Sequence, residues 1–447
     1  MIMAASAVGY ILRTNLSIAG PAIKAELGLS ETQLGLVLSA FVTTYALGQI
    51  PGGLVGERFG PRRVLTWLLA GWGVVTLLTG LLPSHTVLPT WLILSLLMVF
   101  RGAMGFLQAP LFPVMNGGTV RAWLPSRHWA LASALQNSAY TLASAGAVPM
   151  LVWLVLRFGW RMAFVSGTPL AFGLAALWWW DTRDNPADHP RLNEAERELI
   201  HTGPPTVADS PGAGWLAVST SQDTVLLTLS YFSINYVFYL FFNWFYYYLT
   251  EVRHLSPEVA GYFTGAQWIV GAVASLVGGL LCDLLSAHLG ATRGCRLTAM
   301  GGILFAAPCL VLGTLASNPF AMVLLLSISF GSTQLVDAAY WVAAMRVAGR
   351  RAPLSTGILN TGGNLSGILA AILVPTVAGK WGWAAGIGSG VVFAVVGALL
   401  WLGIRTDRPI ATERALQQMV ACAIVSGPPN KAMEPTSGAP WFRRTKK

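Results

Sequence analysis

Gly53-Leu-Val-Gly-Glu-Arg-Phe-Gly-Pro-Arg-Arg63 joins two apolar segments, each long enough to cross a bilayer. Gly53 and Gly56 let two helices approach closely, and Gly60-Pro61 turns the chain. Glu57 stands among Arg58, Arg62 and Arg63, any of which it can pair with. The stretch is therefore a charged hairpin in a greasy chain. A reduced copy, Gly279-Leu-Leu-Cys-Asp283, lies 226 residues further on, with Asp283 in place of Glu57 and with Leu284, Leu285 and Ser286 where the basic residues would be.

The surrounding chain is that of a membrane protein. Of 447 residues, 54% are hydrophobic and 10% charged, against about 25% charged in a soluble domain. The apolar runs are too long and too continuous for barrel strands, so the fold class is all-α, with membrane-spanning helices. The net charge of +10 comes from basic residues spread over short loops, which fits the positive-inside rule and not a nucleic-acid surface. Cys282, Cys295, Cys309 and Cys422 form no CxxC pair and have no His at ligand spacing, so no metal site, cofactor or disulfide framework is expected. No Gly-Lys-Ser/Thr phosphate loop is present. Apolar sequence begins at Met1 with no cleavable signal pattern.

Twelve spans are expected at 1–22, 32–55, 64–83, 88–113, 128–157, 161–180, 224–250, 256–284, 297–315, 319–342, 354–379 and 383–404. The loops on the hairpin's side are richer in arginine, which places that side and both termini in the cytoplasm. Residues 181–223 read as a Pro-rich linker with a short helix at Asn193–Glu198, and residues 405–447 as a disordered basic tail able to touch anionic lipid. Asn137-Ser138 recurs as Asn360-Thr361 and Gly159-Trp160 as Gly382-Trp383, both 223 residues apart; Tyr10 recurs as Tyr236 at 226. Together with the hairpin copy, these matches argue for a duplicated half: residues 1–180 and 224–404 as two pseudo-symmetric six-helix halves with a pathway between them.

With these motifs in view, the chain resembles the major facilitator superfamily, and within it the anion:cation symporter branch of hexuronate, galactonate and glucarate permeases and sialin-type carriers. The resemblance runs over about residues 8–404. It is carried by Arg13-Thr-Asn-Leu-Ser-Ile-Ala-Gly-Pro-Ala-Ile23, Tyr45-Ala-Leu-Gly-Gln-Ile-Pro-Gly-Gly53, Arg58-Phe-Gly-Pro-Arg-Arg-Val64, Phe158-Gly-Trp-Arg161 and Asn360-Thr-Gly-Gly-Asn364. It implies a transporter, with Met1 a late start or a truncation. It also implies that Arg13 and Arg101 face a central cavity and attract an anionic substrate. The branch usually has an acid immediately before the first arginine and another in the fourth helix, both tied to proton coupling; here these positions are Leu12 and Gln108.

From the residues themselves, Arg13 lies mid-span, where a charge costs about 3 kcal/mol unless it meets a cavity or a partner. A guanidinium is the group that grips both oxygens of a carboxylate. Arg101 has the same chemistry, with snorkelling to an interface as the other reading. Gln108 can hydrogen-bond a substrate hydroxyl. Asp337 is an intramembrane acid, either a proton-coupling group or a structural hydrogen-bonding one. Asn235 and Tyr236 match positions where family members contact substrate, whereas Tyr246, Tyr247 and Tyr248 read as an interfacial belt. Asn137, Ser138, Asn360 and Asn364 either line the cavity or tie helices together. Glu57, Arg58, Arg62, Arg63 and Asp283 are expected to latch the cytoplasmic ends, Glu57 more strongly than Asp283 because the copy lacks the basic cluster. The expectation is a monomeric, multi-pass carrier of the plasma membrane (the inner membrane in a bacterium), not an enzyme. It moves a sugar acid or related carboxylate, coupled to protons or as a facilitator or exchanger. A non-transporting sensor-like paralogue and a membrane enzyme are the alternatives from other classes.

Overall fold

The computed structural model describes residues 1–201 and 214–407. Eleven segments are long and apolar enough to cross a membrane; one of them, 63 residues long, is folded back at Gly349–Arg351 into two helices, which gives twelve crossings. They are α1 (Ile2–Leu27), α2 (Glu31–Phe59), α3 (Pro61–Gly80), α4 (Thr90–Trp123), α5 (Trp129–Phe158) and α6 (Trp160–Asp181), followed by α7 (Gln222–Tyr247), α8 (Pro257–Leu289), α9 (Ala291–Leu315), α10 (Pro319–Ala348), α11 (Ala352–Trp381) and α12 (Trp383–Leu400). Each expected span falls on one of these helices. Several run past the apolar stretch, α8 ending five residues after the expected boundary at 284, because a helix continues into the polar interface until a breaker such as Gly290 stops it.

The two six-helix halves meet along two helix pairs, α5 against α8 and α2 against α11. These pairs exchange under the repeat, since α2 corresponds to α8 and α5 to α11. The fold is the expected pseudo-symmetric one. In the segment between the halves, Asn193 caps a helix at Glu194–His201: its Oδ1 accepts from Glu196 N–H at 2.7 Å, and Glu196 Oε2 accepts from Asn193 N–H at 3.1 Å. The tail expected over 405–447 lies outside the described residues from position 408 onward.

The hairpin end of the bundle is closed, by contacts other than those its sequence indicated. Glu57 pairs across the halves with Arg351 (2.6 Å), and its other oxygen accepts from the N–H of Leu354 in the first turn of α11. Asp283 does the equivalent on α5, accepting from Ala130 and Leu131 N–H at 3.2 and 2.9 Å. Each acid thus occupies the positive N-terminus of a helix in the other half. Glu57 does not pair with Arg58, Arg62 or Arg63. After the turn at Gly60, Arg62 is directed to its own half, donating to the Trp179 carbonyl; Arg58 lies over the Phe59 ring, and Arg63 is exposed. Gly53, one turn before Glu57 on the same face, explains the close approach: a Cβ there would come within 2.3 Å of the Pro353 carbonyl oxygen.

A cavity between the halves

A cavity of about 890 Å³ separates the halves, lined by α1, α2, α4 and α5 on one side and α7, α8, α10 and α11 on the other. Its floor toward the hairpin is buried, at Asn116, Ser133 and Asn137, and its mouth is exposed at Ser17, Val42, Val148 and Asn243. The cavity therefore opens away from the hairpin.

The wall formed by the first half is cationic. The Arg13 guanidinium lies over the rings of Phe41 (4.8 Å), Tyr45 (5.1 Å) and Tyr10 (5.4 Å), and the Tyr140 and Tyr239 side chains are also near it. Arg101 Cζ lies 4.5 Å from the same Phe41 ring, and its Nη2 donates to the Arg13 carbonyl at 2.8 Å. Among the described residues neither guanidinium meets a carboxylate. Two neighbouring cations in a low-dielectric setting, facing rings, a hydroxyl and a backbone carbonyl and no carboxylate among the described residues, can attract an anion.

The opposite wall is hydrogen-bonding and carries one acid. Asp337 lines the cavity, with Oδ1 accepting from Tyr231 O–H (2.8 Å) and Oδ2 from Trp341 Nε1–H (3.1 Å). Tyr239 O–H donates to Asn364 Oδ1 (2.8 Å), and Asn364 Nδ2 donates to the Asn360 carbonyl (2.7 Å). The repeated asparagines do both things the sequence allowed. Asn137 and Asn360 line the cavity and also bond across the halves: Asn137 Nδ2 donates to Ser275 and Gln334 at 3.0 Å each, and Asn360 Nδ2 donates to Gln49 at 2.9 Å.

Two expected contact residues are elsewhere. Gln108 is buried behind the wall, its Nε2 donating to the Gly9 carbonyl at 2.8 Å. Leu12, the other position where the family's acid is absent, is also turned into the interior of its half. Tyr236 points to α12, bonding Ser389 and stacking on Phe393 at 3.9 Å, because it is off the face of α7 that carries Tyr231, Asn235 and Tyr239. Tyr239 is the residue that sequence reading passed over, and its spacing of four from Asn235 was the available signal. Tyr246, read as interfacial, reaches the cavity's mouth.

A family model described as Major Facilitator Superfamily matches residues 2–370. The chain belongs to the Major Facilitator Superfamily. Solved members share its architecture: a proton:xylose symporter aligns at TM-score 0.67 with 14% identity, over 94% of this chain and 98% of that one. The fucose transporter of Escherichia coli aligns at 0.65 with 12% identity, over 90% and 97%. Within the superfamily, a probable sulfoacetate transporter of Cupriavidus necator is 29% identical over 403 residues, 89% of each chain. A probable galactarate/D-glucarate transporter of Escherichia coli strain K12 is 30% identical over 387 residues, 84% of this chain and 86% of that one. The superfamily chain is a transporter, and the anion-carrier branch to which its motifs pointed is the one these relatives occupy.

Proposed function

We propose that this transporter moves a small organic anion, a sugar acid or related carboxylate or sulfonate, by alternating access, with Arg13 and Arg101 as its anion site. The observation that carries this is the pair of cavity-facing guanidinium groups that meet no carboxylate among the described residues, on a wall opposite hydrogen-bonding residues. Relatives named for galactarate, D-glucarate and sulfoacetate support the class. Residues 1–180 and 224–404 are the moving halves and 181–223 the linker. The Arg-rich hairpin side is cytoplasmic, with both termini, so the cavity described is the outward-facing one in a plasma or bacterial inner membrane. Glu57 and Asp283 hold the cytoplasmic end shut in that state. The test is uptake and counterflow of labelled galactarate, glucarate and sulfoacetate into proteoliposomes. Arg13-dependent flux of at least one of them supports the reading; no flux or exchange of any organic anion under any gradient rejects it.

Uncoupled facilitation or exchange is favoured over inherited proton symport by one specific arrangement. Leu12 and Gln108 occupy the coupling positions, neither exchanges a proton near neutrality, and both side chains face away from the cavity. Uphill uptake that follows an imposed proton gradient would reject this second reading.

A further inference from the structure

The cavity has two poles. At one are Arg13 and Arg101, which require an anion; at the other is Asp337, a carboxylate that meets no cation among the described residues. Both oxygens of Asp337 already accept a hydrogen bond, one from an indole N–H that can only donate, and each keeps a second lone pair for another donor. Tyr231 and Trp341 meet the acid through their O–H and N–H edges. Trp341 and Tyr231 have centroids 6.3 Å apart at 75°, and Phe112 lies 6.1 Å from Trp341. Toward the arginines the rings continue: Phe112 is 6.4 Å from Tyr10, whose ring lies under Arg13.

We propose that the transported anion also carries an ammonium group, its carboxylate or sulfonate at Arg13 and Arg101 and its ammonium at Asp337, with the connecting carbons along the Tyr10 and Phe112 rings. This rests on the organic-anion reading above and narrows it to aminated acids. The two poles stand on opposite walls of one cavity and match a zwitterion end for end, and the second lone pair on each Asp337 oxygen is open to an ammonium N–H. A carboxylate in a low-dielectric cavity is the partner that an organic ammonium takes, by charge and by N–H donation together. A metal ion needs several oxygen ligands where Asp337 offers one carboxylate among donors, and a proton on Asp337 would give no preference for an amine over its deaminated analogue.

The experiment is thermal stabilisation of the purified full chain by linear ω-amino carboxylates, from glycine to 6-aminohexanoate, each beside its deaminated analogue of equal length. At least one amine-bearing member is expected to half-saturate at a tenfold lower concentration than its analogue. In Asp337→Asn that advantage disappears while the deaminated acid still binds; should that variant fail to fold, the wild-type comparison decides alone. Deaminated and aminated acids binding equally at every length overturn the inference and leave the organic-anion reading intact. If no acid of either kind binds, the inference falls, and the organic-anion reading is decided separately by flux of galactarate, glucarate and sulfoacetate. Anion uptake that needs Asp337 and a proton or sodium gradient, with no preference for an amine, also overturns it and assigns Asp337 to coupling.

Discussion

Arg13 was readable from sequence because a charge in the middle of an apolar span must have a polar destination, and the cavity is that destination. Its planar fork matters as well as its charge, since Tyr10, Phe41 and Tyr45 hold it by their faces. Arg13→Lys should weaken anion binding about tenfold or more, the scale of one lost charged hydrogen bond at roughly 1.5–3 kcal/mol. Arg13→Ala should abolish binding; thermal-shift titration with the transported anion measures both, and unchanged affinity in the lysine variant would remove the bidentate role. Gln108 is the contrasting case. A polar residue on a membrane helix is conspicuous in sequence, but which way it faces depends on helix rotation, which only packing fixes. Because Gln108 donates to the Gly9 carbonyl, Gln108→Leu should cost about 1 kcal/mol of stability through loss of that bond between α4 and α1. The same variant should leave the order of preference among anions unaltered, and a reordered preference in the same titration would return Gln108 to the binding site.

At the scale of elements, the number of helices, their division into halves and the repeat were all legible, because long apolar runs and recurring Gly, Asn and Trp positions survive in one dimension. The partners of the hairpin were not. The acids were conspicuous, but the targets they share are backbone N–H groups at the starts of α5 and α11, which have no signature in residue type, and the arginine that Glu57 pairs with is Arg351, 294 residues away. Sequence favoured Glu57 over Asp283 as the stronger latch because arginines surround it, and that reason disappears once Arg62 is seen to bind its own half. Glu57→Ala and Asp283→Ala should each weaken closure by about 1 kcal/mol, the scale of a lost helix cap, or roughly fivefold in population, and the two effects should add. Labelling of a cysteine placed at the buried Ser355, in the first turn of α11, reports opening. Unchanged labelling in both variants would remove the latch. Gly53→Val should open the same end more strongly, because its side chain would collide with the Pro353 backbone.

For the whole molecule, the cavity's direction and the contacts at its closed end make one mechanical claim: binding needs the halves apart at one end, and transport needs them to part at the other. The α2 to α11 contact is where the claim can be tested without touching the anion site. Gly357 packs so closely on α2 that a Cβ there would lie 2.8 Å from the Gln49 carbonyl oxygen. Cysteines at Gln49 and Gly357, with the native cysteines replaced, should therefore cross-link across the halves on mild oxidation and fix the hairpin end shut. The Asn360 to Gln49 hydrogen bond is lost in this variant and the new Cβ at position 357 crowds the Gln49 carbonyl, so its reduced form is the proper reference. The oxidised protein should still be stabilised by its anion from the open side, because Arg13 and Arg101 remain in the cavity wall. Uptake and counterflow in proteoliposomes should stop, and a reductant should restore both. Binding retained while flux is lost separates the step of access from the step of recognition. Flux that persists through a verified cross-link would mean that the halves do not part at this contact, and that the route across the membrane passes elsewhere than between α2 and α11.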